Sequence, residues 1–258
     1  MSHDVSHPTI RGTKIRMFRG GKGPTALFLH GGAGLSVWTP FFQAVAEEHD
    51  LFVPEHPGFG QSDNPDWLKS VSDLALFYLD FLDEFDLRDV HLVGNSFGGW
   101  IAAELAVRDP SRLRSLTLIG PSGVKPAGDA VTDIFRWSYE ENTRNLFHNQ
   151  AIAERMLGAP QTLEGVAAQI KNQTTVARLG GDPVLYNPDL PRWLHRVTVP
   201  AHILWGQHDK LSPAATAQVW AQHLPKATVT IVPDAGHLPH AEQAALVGPA
   251  VVKFLAAV

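Results

Sequence analysis

The chain has 258 residues, of which 44% are hydrophobic and 18% charged, a composition typical of one large globular domain or of a domain with a modest insertion. Its formal net charge of -5 argues against a nucleic-acid or membrane partner and favours a small, weakly charged or neutral ligand. The chain contains no cysteine, which excludes disulfides, a thiol nucleophile and thiolate metal sites.

The N-terminal stretch MSHDVSHPTI is polar and lacks the apolar core of a secretory signal. No later run approaches the roughly 20 apolar residues that cross a bilayer. We therefore expect a cytoplasmic protein without a membrane partner.

Short apolar runs bounded by glycine or proline alternate with helical patterns from Thr25 onward, and such runs are typical of buried strands. Helices are predicted at Ser72–Phe85, at Trp100–Val107, from Ser212-Pro213 as N-cap and first helical residue, and from about Pro239 to the C-terminus. This alternation predicts an α/β fold, a mostly parallel central sheet with helices on both faces and ligands beyond the carboxyl ends of the strands. The predicted strands are Thr25–His30, Leu51–Pro54, Val90–Gly94, Ser115–Gly120, Ala201–Gly206 and Thr228–Pro233.

Residues 121–196 break the alternation, because no strand-like run occurs there while Ile134–Asn149, Ala151–Leu157 and Leu163–Arg178 look helical. We interpret 121–196 as a helical cap inserted near the carboxyl edge of the sheet. Residues 1–120 and 197–258 then form the core domain. The alternative is an extra helical layer without a role at the site.

Ser96 stands in Gly94-Asn95-Ser96-Phe97-Gly98, directly after an apolar run and before a helical one. A tight turn from strand to helix pushes a serine hydroxyl out at the top of the sheet, and the glycines leave room for the cramped backbone. The helix N-terminus favours negative charge that develops nearby. These features predict that Ser96 is a nucleophile.

A serine hydroxyl needs a base, usually a histidine oriented by a carboxylate. Of 13 histidines, His237 follows the last strand and precedes the last helix, so it is the predicted base. His240 falls at the start of that helix and is assigned to the wall of the site or to packing. Asp209 follows the strand Ala201–Gly206 and is the predicted carboxylate. Asp234 is the reserve candidate, because it precedes His237 too closely to orient it easily.

The glycines of the loop at 30–34 allow backbone N–H groups to approach a ligand closely. We expect the N–H groups of Gly32 and Phe97 to bind the oxyanion of a tetrahedral intermediate. The loop lacks the ending of a phosphate-binding loop and the spacing of a dinucleotide fingerprint. His30 has no cluster of ligands at metal spacing beside it, so neither a cofactor nor a metal is expected.

On these motifs the sequence resembles the α/β-hydrolase family over nearly the whole chain outside the insertion. The resemblance implies the order Ser, Asp, His for the catalytic residues and a helical cap where the insertion occurs. Serine at the turn argues against the dehalogenase and epoxide hydrolase branches, which carry aspartate there. The motifs are HGGAG at 30–34, PGFGQSD at 57–63, GNSFGG at 94–99, GQHDKLSP at 206–213 and DAGHLPHAEQ at 234–243.

Within the family, HGG together with GNS resembles the carbon–carbon bond hydrolases that cleave ring-opened aromatic products. Those enzymes typically carry tryptophan after the catalytic histidine, where this chain has Leu238, and a cap arginine that binds a substrate carboxylate. Arg178 and Lys171 are candidates for that cation. The alternative interpretation of both is solvent-exposed helix charge.

We therefore expect a serine hydrolase that cleaves a small, largely apolar carboxylic ester or lactone through an acyl-enzyme. Carbon–carbon bond hydrolysis of a ring-fission diketo acid is the first alternative. A small-molecule receptor on the same fold is the second. The candidate substrate-binding residues are Trp38, Trp100, Phe135, Trp137 and Leu238.

Overall fold

The six predicted strands are six consecutive strands of one sheet in the computed structural model, which describes residues 3–128 and 132–258. The strands are β1 (His3–Ser6), β2 (Thr9–Ile10), β3 (Thr13–Lys14), β4 (Met17–Gly20), β5 (Thr25–Leu29), β6 (Asp50–Pro54), β7 (Val90–Asn95), β8 (Leu113–Ile119), β9 (Ala201–Gly206) and β10 (Ala227–Val232). The helices are α1 (Pro40–Ala46), α2 (Val71–Glu84), α3 (Phe97–Arg108), α4 (Tyr139–Leu146), α5 (Gln150–Leu157), α6 (Leu163–Gly180), α7 (Leu190–Trp193), α8 (Thr216–His223), α9 (Pro239–Glu242) and α10 (Ala244–Ala256). Short 3-10 helices occur at Pro110–Arg112, Ile134–Arg136 and Leu194–Arg196.

The strand order of the main sheet is β1-β4-β6-β5-β7-β8-β9-β10. Strands β5 to β10 pair in parallel. Parallel strands need crossover connections, so their carboxyl ends, and the loops that follow them, lie along one edge of the sheet. The predicted α/β fold is confirmed.

The N-terminal strands were not part of the prediction. Strands β1 and β4 extend one edge of the sheet in antiparallel pairing, and β2 and β3 form a separate two-stranded sheet. These strands have two to four residues, and β1 has the polar sequence HDVS with no buried residue. Such short segments carry no periodicity of their own, so pairing orders them: β1 with β4, β4 with β6, and β2 with β3.

Helices cover both faces of the sheet and bury two separate hydrophobic clusters. On one face, α2, α3 and α8 pack over apolar side chains that include Leu27, Leu92 and Ile203. On the other face, α1 and α10 pack over a cluster that includes Phe28 and Val93. Neighbouring residues of β5 and β7 face opposite clusters, which explains why these strands are continuously apolar in sequence.

Two predicted helices differ in extent from the structure. Helix α8 begins at Thr216 rather than at Pro213, because the Asp209 carboxylate accepts the Ser212 N–H at 3.0 Å and holds the chain there in a turn. The last helix is divided at Gln243, whose backbone leaves helical geometry (φ -121, ψ 44) while its side chain donates to the Asp234 carbonyl at 3.1 Å.

The segment between β8 and β9 is helical, and its described residues add no strand to the main sheet. Residues 129–131 of the predicted insertion lie outside the described residues. Elsewhere in this segment the predicted helices correspond to the 3-10 helix at 134–136 and to α4, α5 and α6. Within the described residues, every helix is too short or too polar to cross a membrane.

Helix α3 lies so close to β5 that its second residue cannot carry a side chain. A Cβ atom on Gly98 would lie 2.1 Å from the Leu29 carbonyl oxygen and 2.4 Å from that of His30. Both obstacles are backbone atoms, which cannot rotate away as a side chain can. Glycine at this position therefore lets the N-terminus of α3 approach the end of β5.

We predict that Gly98→Ala lowers the free energy of unfolding by about 3 kcal/mol or more, because the new methyl group forces α3 away from β5. The matched control is Gly158→Ala at the exposed end of α5, where φ is -80° and the nearest atom to the new Cβ is the Glu154 carbonyl oxygen at 3.2 Å. Urea denaturation of both variants tests this. Equal stability of Gly98→Ala and the parent protein would contradict the packing argument.

Candidate active site

Ser96 occupies the turn between β7 and α3 in a conformation that few non-glycine residues adopt. Its φ is 50° and its ψ is -117°. A non-glycine residue at positive φ costs about 1–3 kcal/mol, so the surroundings must hold it in place. The Ser96 N–H donates to the Ile119 carbonyl at 2.9 Å, and the Ser96 carbonyl accepts from Gly99 at 2.9 Å and Ser122 at 3.0 Å. The turn is thereby tied both to α3 and to the loop after β8.

The structure brings the three residues predicted for catalysis into one hydrogen-bonded chain. His237 Nε2 lies 2.8 Å from Ser96 Oγ, and His237 Nδ1 lies 2.8 Å from Asp209 Oδ2. The second Asp209 oxygen accepts the backbone N–H groups of Leu211 at 2.8 Å and Ser212 at 3.0 Å. Because an ionised carboxylate only accepts, Nδ1 carries the imidazole proton and Nε2 is left to accept from the serine hydroxyl.

The loop that carries His237 is held by a carboxylate that the sequence did not single out. Glu242 Oε1 accepts the Gly236 N–H at 2.6 Å, while the His237 N–H donates to the Leu146 carbonyl at the end of α4 at 2.9 Å. These bonds fix the backbone on both sides of the His237 side chain. The only sequence signal was an acidic residue in the short helix after the histidine.

The glycine loop after β5 lies directly against Ser96. A Cβ atom on Gly31 would lie 3.3 Å from Ser96 Cβ. No described residue accepts a hydrogen bond from the Gly32 N–H. Phe97 is the first residue of α3, where a backbone N–H has no partner within the helix. The structure thus places both predicted oxyanion donors on backbone segments that meet at the serine.

Two buried histidines orient the peptide that bears the Gly32 N–H. The His56 N–H donates to His30 Nε2 at 3.0 Å, so the His30 proton is on Nδ1 and is donated to the Gly31 carbonyl at 2.8 Å. In a trans peptide the N–H points opposite to the carbonyl, so this bond directs the Gly32 N–H away from His30. Both His30 nitrogens are occupied, which leaves neither for a metal.

The second histidine is held in turn by a tyrosine. His56 Nε2 donates to the His30 carbonyl at 2.8 Å, and His56 Nδ1 accepts from the Tyr78 hydroxyl. Burial lowers the pKa of His30 to about 4 and places that of His56 well below the usual value, so both rings are neutral. The sequence signal for this pair was a histidine directly after the apolar strand β5 and another two residues after the end of β6.

Helix α6 lies over the loops that follow β5 and β6. Asn172 is buried, donating to the Ala33 carbonyl at 2.8 Å and accepting the Gly60 N–H at 2.9 Å. Thr175 donates to the Gly58 carbonyl at 2.7 Å. This helix is therefore fastened to the glycine loop beside Ser96. A polar residue at a buried position of an amphipathic helix was the available sequence signal.

Lys171 and Arg178 also connect α6 to the core. Lys171 Nζ donates to the carbonyls of Gly60, at 3.0 Å, and Ser62. Burial lowers its pKa, and nearby carboxylates partly oppose that effect. Arg178 donates to the Leu68 carbonyl and to Asn64 Oδ1 at 3.0 Å. Arg178 is exposed, as the alternative interpretation expected, whereas Lys171 is half-buried. Neither interpretation anticipated that both cations bind backbone carbonyls of core loops.

A small cavity of about 30 Å³ adjoins His237. Its surface is mostly apolar, and His237 is the one residue of its lining with an ionisable side chain among those described. Space of this size holds about one water molecule, so a larger ligand requires movement of the adjoining helical segment. The lining consists of Pro121, Ser122, Val124, Pro126, Thr132, Ile134, Val184, Leu185, Leu211, Ser212 and His237.

Two of the predicted substrate-binding residues, Trp38 and Trp100, lie in the core domain. Neither of them lines this cavity. Trp38 stacks on His3, with ring centroids 4.7 Å apart, and meets Phe18 edge-on, so it packs on the β1–β4 edge of the sheet. Trp100 is buried, and a Cβ on Gly180 would lie 3.0 Å from its ring. It fills the interface between α3 and the end of α6.

The other three predicted pocket residues do not line the cavity, although each is close in sequence to a residue that does. Phe135 is 38% exposed, and its neighbour Ile134 is the residue that lines the cavity. Trp137 follows the same 3-10 helix and is half-buried. Leu238 directly follows His237 and precedes α9.

The model of a family described as "Alpha/beta hydrolase family" matches residues 26–250. Three curated proteins are similar over most of the chain. One, a dihydrolipoyllysine-residue acetyltransferase component of an acetoin cleaving system from Cupriavidus necator, is 31% identical over 254 residues. That match covers 91% of this chain and 64% of the relative, so the chain spans less than two thirds of that protein.

The second relative, a pimeloyl-[acyl-carrier protein] methyl ester esterase from Nitrosomonas europaea, is 27% identical over 85% of this chain and 90% of its own. The third is a 2-hydroxymuconate semialdehyde hydrolase from a Pseudomonas species, 27% identical over 95% of this chain and 91% of its own. The residues matched by the family model, 26–250, include Ser96, Asp209 and His237.

The buried histidines predict a loss of stability in acid. Burial lowers the pKa of His30 and of His240 to about 4, from 6.5 for a free side chain. Between these values the unfolded chain binds more protons than the folded one, so the free energy of unfolding falls as the pH drops from 6.5 to about 4. Each histidine contributes up to about 1.4 kcal/mol per pH unit.

Urea denaturation at about pH 7.5 and about pH 5 measures this loss. His240→Leu should show a smaller loss than the parent protein. The His240 ring packs on Phe28 and Phe41, and its buried Nδ1 has no partner among the described residues, so the ring resists protonation. An identical loss in both proteins would contradict the contribution assigned to His240.

Proposed function

Because the chain belongs to the alpha/beta hydrolase family, we propose that it is a serine hydrolase that cleaves a small, largely apolar carboxylic ester or lactone. The observation that carries the proposal is the series of two hydrogen bonds that links Ser96 to His237 and His237 to Asp209, each 2.8 Å long. A serine bonded to an imidazole whose other nitrogen meets a buried carboxylate is the arrangement that activates a hydroxyl as a nucleophile.

In the proposed reaction Ser96 Oγ attacks the substrate carbonyl while His237 Nε2 takes its proton. Asp209 keeps the histidine proton on Nδ1 and stabilises the imidazolium that forms. The carbonyl oxygen becomes negative, and the N–H groups of Gly32 and Phe97 stabilise it. Collapse of this intermediate expels the alkoxide, which takes the proton from His237 and leaves an ester on Ser96.

Water completes the cycle by the same route in reverse. His237 removes a proton from the water as it attacks the acyl-enzyme, the oxyanion forms again between the two N–H groups, and Ser96 recovers its proton on release of the acid. The net reaction adds one water across the ester bond. Residues of this chain serve every proton transfer, and the proposal uses no cofactor.

The preference for a small neutral substrate rests on the surroundings of His237. The adjoining cavity is mostly apolar. The two cations that were candidates for a substrate carboxylate, Lys171 and Arg178, bind carbonyls of core loops instead. The similarity to a methyl ester esterase supports ester chemistry. We further propose that residues 121–196 act as a cap over the core formed by 1–120 and 197–258.

A second candidate function is carbon–carbon bond hydrolysis of a ring-fission diketo acid by the same three residues. The observation in its favour is the similarity to a 2-hydroxymuconate semialdehyde hydrolase over nearly the full length of both chains. Such an acid carries a carboxylate, and the described cavity lining offers no cation to bind it. We therefore rank it second.

We predict that a fluorophosphonate probe labels the parent protein rapidly and that Ser96→Ala abolishes labelling. Turnover of a short p-nitrophenyl ester should fall by about 10⁴-fold or more in this variant, because no other group replaces the nucleophile. The control is Ser111→Ala, an exposed serine that bonds only to Asp109, which should behave as the parent. Labelling that survives in a folded Ser96→Ala protein would overturn the proposed nucleophile.

Arg178→Met separates the two candidate functions. For an ester hydrolase, we predict an unchanged KM for the p-nitrophenyl ester and a lower free energy of unfolding, since the variant loses only the bonds to Leu68 and Asn64. Turnover of a ring-fission dienoate should stay far below that of the ester. Preferred turnover of the dienoate, with a KM that rises several-fold in Arg178→Met, would establish the second candidate instead.

A further inference from the structure

Three side chains of the kinds that bind metal ions converge on the surface beside the candidate active site. His148 follows α4, His208 follows β9 and Asp234 follows β10, so three segments distant in sequence each supply one. Their potential ligand atoms all lie within 4.8 Å of one another. The two imidazole rings are stacked, with centroids 4.0 Å apart and planes 16° apart.

Hydrogen bonds to neighbouring residues hold the backbone of each of these three residues. The His208 N–H donates to the Ala235 carbonyl at 2.9 Å, and the His148 N–H donates to Glu242 Oε1 at 3.1 Å. The Asp234 carbonyl accepts from the Gln243 side chain at 3.1 Å. The position of each residue is therefore set before any ligand is bound.

The three side chains themselves are available to bind a ligand. All three residues are exposed, and none of their side chains makes a hydrogen bond or an ion pair with another described residue. Each can rotate without breaking an existing bond. Ligand nitrogens at about 2.1 Å from a tetrahedral metal lie about 3.4 Å apart, so modest rotations of exposed side chains suffice to close the site.

We propose that His148, His208 and Asp234 form a binding site for a divalent transition-metal ion, for which Zn²⁺ is the best match. Two imidazoles and one carboxylate suit Zn²⁺, Co²⁺ or Ni²⁺, whereas Mg²⁺ and Ca²⁺ prefer sites made of oxygen atoms. Three protein ligands at an exposed position leave the fourth coordination position to water. The site is separate from the ester chemistry proposed for Ser96 and does not depend on it.

A metal ion at this place would fasten the helical segment to both loops of the candidate active site. His208 directly precedes Asp209, and Asp234 is three residues before His237. On the other side, His148 is two residues after Leu146, whose carbonyl accepts the His237 N–H. Binding would therefore stabilise the folded state and restrain movement between α4 and the loops that hold His237 and Asp209.

The test is titration of untagged, chelator-treated protein with Zn²⁺ by calorimetry, with the melting temperature measured in parallel. The parent protein should bind one Zn²⁺ and melt at a higher temperature with Zn²⁺ but not with Mg²⁺. His148→Ala and His208→Ala should each bind at least about tenfold more weakly, and Asp234→Asn should also bind more weakly. The control is His195→Ala, an exposed histidine that bonds only to the Arg192 carbonyl and should bind Zn²⁺ as the parent does.

Co²⁺ gives a second readout that is independent of stability and activity. Its visible absorption when bound should change on His148→Ala and His208→Ala and stay unchanged on His195→Ala. Melting temperatures measured in chelator establish that each variant is folded, and Ser96→Ala should bind Zn²⁺ like the parent. Zn²⁺ affinity that is unchanged in both His148→Ala and His208→Ala, or no saturable binding by the parent, would overturn the proposal.

Discussion

The backbone of the turn between β7 and α3 is packed against its neighbours on every side, and the candidate active site is arranged around that packing. A Cβ on Gly94 would lie 2.5 Å from the Gly98 carbonyl oxygen, and one on Gly99 would lie 2.7 Å from Pro121 Cβ. The positive φ of Ser96 is stable because these contacts leave the turn no alternative path. The direction of the serine hydroxyl is therefore determined largely by the backbone, and the loops after β5, β8 and β10 pack around it.

Hydrogen-bond partners determine the orientation of the polar groups in the site. The buried carboxylate of Asp209 specifies the His237 tautomer, and two buried neutral rings, His30 and His56, specify the direction of the peptide before Gly32. Neutral histidines serve this purpose because each has one donor and one acceptor, so one bond determines the other. The Gly32 N–H is thus oriented before a ligand binds, which in the proposed reaction would lower the cost of reorganisation.

The helical segment between β8 and β9 is attached to the core mainly through α6. Asn172 and Lys171 bind backbone groups of the loops after β5 and β6, so movement of α6 would be transmitted to the glycine loop beside Ser96. At the other end of the segment, the Leu146 carbonyl binds the His237 backbone. Movement of this segment, the proposed cap, would therefore be transmitted to the residues proposed for catalysis.

Local patterns in the sequence determined the α/β fold, the turn at Ser96 and the choice of His237 and Asp209, because each depends on an apolar strand followed within a few residues by glycine or a polar group. Only the tertiary structure decided which contacts form between segments that are far apart in the chain. The edge strand β1 gains its order from pairing, and Glu242 reaches the backbone of His148, 94 residues away. Lys171 and Arg178 bind carbonyls more than 100 residues distant, and none of the aromatic residues expected around the substrate lines the cavity beside His237. Every residue has a backbone carbonyl, so the sequence does not indicate which carbonyl accepts a hydrogen bond from a distant side chain. Such a partner can be identified only in the folded structure.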